Sequence, residues 1–133
     1  MSRWQELDMR NKVLEVLDSV PLRNPQGHNF RRPFLTAYQI AIDIERRFPE
    51  VLDQLGLEIG GVGTGSDSLA RYVARQLAGE IDRHDETFEI EGAFVSNRDV
   101  VDFRFRAADG SDIVSSSSNS SIDLTMFRRR VLG

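Results

Sequence analysis

Seventeen residues of the chain are basic and Lys12 is the lone lysine among them, so its cationic chemistry belongs to arginine. Arg71 and Arg75 fall one helical turn apart in SLARYVARQLAGEIDRH, away from the apolar stripe Leu69, Val73, Leu77 and Ile81. Both are therefore expected to project from one exposed helix face, with Ser68 and Tyr72 beside them. Guanidinium groups so placed can hold phosphate or carboxylate oxygens. Arg31 with Arg32, Arg46 with Arg47, and Arg128 with Arg129 and Arg130 form three shorter basic clusters. For all of these arginines, solvation and pairing with acids such as Glu45, Glu80 and Asp82 is the plainer expectation.

The stretch EIGGVGTGSDS, residues 58–68, stands just before that helix. Backbone N–H groups at a helix start carry partial positive charge, and glycines let a ligand approach closely, which is the chemistry of a phosphate cradle. The letters complete no known cradle. Gly65 is followed by Ser66 and Asp67 where a P-loop needs Lys and Ser or Thr, and Ser66 occupies the third glycine position of the dinucleotide pattern. Asp67 would also repel an anion. A turn into the helix, capped by Ser66, Asp67 or Ser68, accounts for every residue without a ligand.

Other reactive groups are scarce or unpartnered. The chain has no cysteine, which excludes disulfides, thiolate catalysis and Cys-based metal sites. Lys12 lies in an expected helix with neither a glycine-rich loop before it nor acids of nuclease spacing around it. His28 and His84 have no second ligand at metal spacing, so neither a metal nor a cofactor is expected. Glu89 and Glu91 would sit about 7 Å apart on one strand face, and with Asp99 and Asp102 they offer a divalent-cation site. A solvated face opposite Phe88, Ile90 and Phe94 is the simpler outcome. The serines at 115–118, 120 and 121 have no nameable base.

These groups must be positioned by a small scaffold. A length of 133 residues suits a single domain, and 40% apolar with 29% charged residues is ordinary for a soluble globular chain of bacterial type. The net charge of −4 excludes a generally positive surface and leaves room only for a local basic face. No apolar run has the length of a membrane span, and the first twenty residues interleave charge with apolar positions, so a cytoplasmic protein is expected.

Periodicity predicts a helix over 3–20 with two apolar stripes, one through Trp4, Leu7, Leu14 and Leu17, the other through Met9, Val13, Val16 and Val20. A linker follows over 21–33, then a single α+β domain over 34–133. Within it come a helix over 34–48 with Pro33 at its first turn, a short helix closed by Gly56, and the helix carrying Arg71. From residue 87 the period becomes two: a hairpin of 88–94 with 101–107, a return at Asp109-Gly110 into 111–116, and a fourth strand near 122–126. The expected fold is α+β, helices in the first two-thirds and a three- to four-stranded antiparallel meander after them.

The order over residues 34–108, helix, short helix, turn, longer helix and hairpin, resembles a winged-helix domain. The resemblance implies that the third helix enters the DNA major groove with the hairpin beside it. On that basis Ser68, Arg71, Tyr72 and Arg75 would form the groove-reading face and Arg98 the wing tip. The connection from Gly56 to Ser66 is longer than a helix-turn-helix normally has. The resemblance implies a non-enzymatic, DNA-associated regulator whose partner is double-stranded DNA. The alternative is an assembly module, a homodimer formed through the double-striped first helix or an open strand edge. A metal-dependent hydrolase is the third and thinnest reading.

Overall fold

Ser2 starts the first helix: its hydroxyl accepts from the Gln5 N–H at 3.2 Å and the Gln5 side chain reaches back to the Ser2 N–H, a capping box. The computed structural model describes residues 2–21, 31–61, 68–115 and 124–130. The single helix expected over 3–20 is two, α1 (Arg3–Glu6) and α2 (Met9–Asp18), because Asp8 adopts the left-handed conformation with φ 53°. Aspartate tolerates that geometry. Its carboxylate accepts from Asn11 Nδ2 at 2.9 Å, and Lys12 Nζ donates to the Leu7 carbonyl left free by the break. The offset turns both stripes inward. Trp4, Met9, Val13, Leu14, Val16 and Leu17 are all buried in this chain's own core. Each large aliphatic side chain buried there contributes about 1.5–3 kcal/mol. The apolar arc that suggested a dimer through this helix is thus covered from within.

Pro33 does not open the next helix. Leu35 and Thr36 form strand β1 (Leu35–Thr36), and Thr36 with Gln39 makes a second capping box that starts α3 (Ala37–Arg47). The apolar side of α3 buries Ala37, Tyr38, Ile40, Ala41, Ile42 and Ile44. Helix α4 (Glu50–Leu55) ends, as expected, at Gly56, which takes φ 67°. After residues 57–61 comes α5 (Leu69–His84), burying Leu69, Ala70, Val73 and Leu77. Among the described residues no helix is long and apolar enough to cross a membrane.

The strands after α5 are β2 (Ile90–Val95), β3 (Arg104–Arg106), β4 (Asp112–Val114) and β5 (Leu124–Arg129). Their pairing is not the expected meander. Strand β5 lies between β1 and β2, antiparallel to both, while β3 and β4 pair separately across the Asp109-Gly110 turn. The expected hairpin of 88–94 with 101–107 does not form. Glu91 finds Arg128 opposite it in β5, an ion pair that Asp102 and Val101 cannot supply, and Val101 is 90% exposed. Segments 22–30 and 116–123, holding most of the expected linker and the serine run, lie outside the described residues.

A polar chain joins the first helices to the rest. Trp4 Nε1 donates to the buried Glu80 Oε1 at 2.8 Å. Glu80 Oε2 lies 3.3 Å from Arg10 Nε, an ion pair without hydrogen-bond alignment. Arg10 also reaches Glu89 at 3.4 Å and covers the Phe88 ring at 4.6 Å. Arg129 continues to Asp18 at 2.6 Å. Arg32 closes the end of α2 by donating to the Val20 carbonyl at 2.8 Å. Trp4→Phe removes one donor from a buried carboxylate while keeping most of the ring, so we expect a loss of about 1–3 kcal/mol in urea unfolding. An unchanged midpoint would mean that the Trp4–Glu80 bond carries no stability.

Candidate nucleic-acid interface

Residues 57–61 run alongside the start of α5 and close it. The Leu69 N–H donates to the Glu58 carbonyl at 2.7 Å and the Ala70 N–H to the Ile59 carbonyl at 2.9 Å. The Arg71 N–H donates to Ser68 Oγ at 3.1 Å, which settles Ser68 as the cap among the three candidates. The N–H groups of Leu69, Ala70 and Arg71, which a phosphate at the start of α5 would need, already have partners. Gly61 serves backbone packing: it has φ 114°, and a Cβ there would stand 2.9 Å from Ile113 Cγ2. Gly63, Gly65, Ser66 and Asp67 lie outside the described residues.

The five residues named from the sequence divide. Arg75 is exposed and Arg71 half-buried, and at 100° per residue they share the open side of α5 with Ala78 and Asp82. Ser68 is a correction: at 7% exposure, with its hydroxyl engaged as a cap, it belongs to the closed end of the helix. Tyr72 stands on the flank, half-buried, its ring edge-on to Trp4 with centroids 5.6 Å apart. Burial raises the pKa of its phenol, with Arg3 opposing the shift, so the hydroxyl keeps its proton at neutral pH. Arg98 is exposed in the turn after β2, where its N–H donates to Ser96 Oγ at 3.1 Å and Asp99 takes φ 61°.

Two of the shorter basic clusters are engaged in ion pairs within the chain. Arg128 Nε donates to Glu91 Oε1 at 2.5 Å and Arg130 Nη1 to Glu91 Oε2 at 3.3 Å, while Arg128 lies 4.2 Å above the Phe34 ring. Arg46 and Arg47 share the Asp43 carboxylate at 2.7 and 2.8 Å, where Glu45 was the expected partner. Glu80 does pair, with Arg10. Glu91 is not solvated as expected, since Arg128 and Arg130 meet it, whereas Glu89, with a side chain 39% exposed, is reached by Arg10 and Arg129. Asp102 is held by Arg104 at 3.2 Å. Among the described residues no three acidic or histidine side chains converge.

Two groups were not readable beforehand. Pairing of Glu80 with arginine was expected, but its burial and its Trp4 partner gave no local signal, because an acid on a helix is usually solvated and its partners lie in α1 and α2. Arg106 alternated with apolar neighbours as any exposed strand residue does, yet it is exposed and has no ion pair among the described residues. No family model matches the chain, and no curated protein or solved structure matches it significantly.

If Glu91 is a structural partner of Arg128 and Arg130, Glu91→Ala leaves two largely buried guanidinium groups short of their acceptor. We expect a loss of about 1–3 kcal/mol in chemical denaturation and a melting temperature of the unmodified protein that magnesium or manganese does not raise. A rise with either ion that Glu91→Ala abolishes would restore the cation site.

Proposed function

We propose that the protein is a non-enzymatic, DNA-associated regulator of winged-helix type, in which α5 meets the duplex and the β2–β5 ribbon lies beside it. The observation that carries this is the open flank of α5: Arg71 and Arg75 share it, while the other side is sealed into the core through Leu69, Val73 and Leu77. The ribbon supports it, since β2 and β5 pair over six residues and α5 packs against β2. Arg98, in the exposed turn after β2, takes the wing position. Tyr72 stiffens the flank through Trp4, and Ser68 holds the helix start.

The residues between β2 and β5 distinguish this ribbon from a tight hairpin. They include β3 and β4, and Phe105 of β3 stacks on Tyr38 of α3 at 5.3 Å. The wing would therefore be tied back to the helices. With a net charge of −4, attraction to DNA has to be local, resting on a few arginines. Each phosphate contact contributes about 0.9 to the slope of log affinity against log salt. Binding of a mixed-sequence duplex should weaken from low to moderate salt, and Arg71→Ala with Arg75→Ala should flatten that slope by about 2 units. The proposal fails if no salt-sensitive binding occurs or if the double variant binds as before.

A second reading rests on a different observation. The outer edge of β2 has no partner among the described residues, and Phe94 within that strand is 67% exposed. Open edges of this kind pair with other chains. An assembly module would use that edge, because the first helices are core. Light scattering should then show a concentration-dependent dimer that Phe94→Lys dissociates. A monomer at all concentrations rejects it.

A further inference from the structure

Between the end of α2, the outer side of α3 and strand β3 lies an open groove of about 660 Å³. Leu35, Ile42 and Phe105 give it an apolar lining, and four arginines, Arg46, Arg47, Arg104 and Arg106, stand around them. Asp43 is the one carboxylate in that lining, and Arg46 and Arg47 both hold it. Arg104 reaches outward to Asp102 and Asp112 at 3.2 and 3.6 Å, and Arg47 to Glu15 at 3.7 Å. Arg106 has no ion pair among the described residues. A neighbouring cavity of about 560 Å³ shares Ser19 and Arg47 with this one, but there Glu15, Asp18 and Glu89 balance the arginines.

The geometry points to the larger groove as a binding site for a small organic anion with an apolar body, of the kind represented by a medium-chain carboxylate. Its volume is in the range of small-ligand pockets. An aliphatic chain or ring laid on Leu35, Ile42 and Phe105 leaves water, while its carboxylate meets guanidinium donors at the rim. An exposed ion pair such as Arg104–Asp112 contributes only about 0–1 kcal/mol, so an incoming carboxylate can exchange for it at little cost, while Arg46, itself more than half exposed, can meet the carboxylate without releasing Asp43. Arg106 needs no exchange. The site stands whether or not α5 binds DNA. Because α3 and β3 both line it and Phe105 stacks on Tyr38, its occupant would also brace the β3–β4 pair against the helices.

The test uses the full chain and 8-anilinonaphthalene-1-sulfonate, whose fluorescence rises when its rings leave water and whose sulfonate mimics the anion. We expect saturable one-to-one binding that octanoate displaces, with octanol at least tenfold weaker. Arg46→Ala and Arg106→Ala should each weaken octanoate several-fold, Arg106→Lys should recover part of the loss, and Arg83→Ala, an exposed change on α5 outside the groove, should leave it unaltered. Circular dichroism on each variant separates loss of the site from loss of the fold. The site is refuted if the dye binds without saturation, if octanol competes as well as octanoate, or if neither groove variant changes octanoate affinity while folded.

Discussion

A guanidinium group is tolerable against a core only where a carboxylate or carbonyl meets it, and strand β5 imposes that condition on the whole molecule. Leu124 and Phe127 face the core while Arg128, Arg129 and Arg130 must each be received, and they are, by Glu91, by Asp18 with Glu89, and by Glu91 with the Phe88 carbonyl. Those partners come from α2 and from the start of β2. One strand thereby constrains where α2 and β2 can lie. The same rule accounts for Glu80, a carboxylate buried in α5 that Trp4 and Arg10 accommodate from the opposite end of the chain.

Elements whose signals are local could be read from the letters. The four-residue recurrence of Leu69, Val73 and Leu77, the helix containing Ile40 and Ile44, the left-handed stop at Gly56 and the Asp109-Gly110 turn all stand where periodicity and turn chemistry put them. What escaped depends on partners far along the chain. Alternation marks 88–94 as a strand but cannot say that residue 91 meets residue 128 and not a residue of the next strand. The break at Asp8 escaped for the same reason: nothing near it forbids a helix, and only the core on both sides rewards the change of direction. Of the candidate interface, the angular step from Arg71 to Arg75 was readable because it is intrinsic to one helix. The burial of Ser68 was not, since residues 57–61 cause it.

Two groups of arginines that composition cannot separate stand out at the extremes. Arg10, Arg32, Arg128, Arg129 and Arg130 serve as joints of the fold. Arg75, Arg98 and Arg106 are exposed without an ion pair among the described residues, and they sit on α5, on the turn after β2 and on β3. Their carriers are distinct elements, of which α5 and β3 are both packed against α3, the latter through the Tyr38–Phe105 stack.

The position of β5 has one more implication, for the route by which the chain acquires its shape. The middle strand of the three-stranded sheet is the last described strand to leave the ribosome, and both of its neighbours are made earlier. Until it arrives, β1 and β2 have no common template, and Arg10 lacks the completed acidic and basic surroundings that orient it. Helices α3 to α5 can gather through nearby contacts, but the sheet has to close across long separations in sequence, which is the slow step of such topologies. Closure of the three-stranded sheet therefore depends on contacts that are distant in sequence, with β5 as the common template.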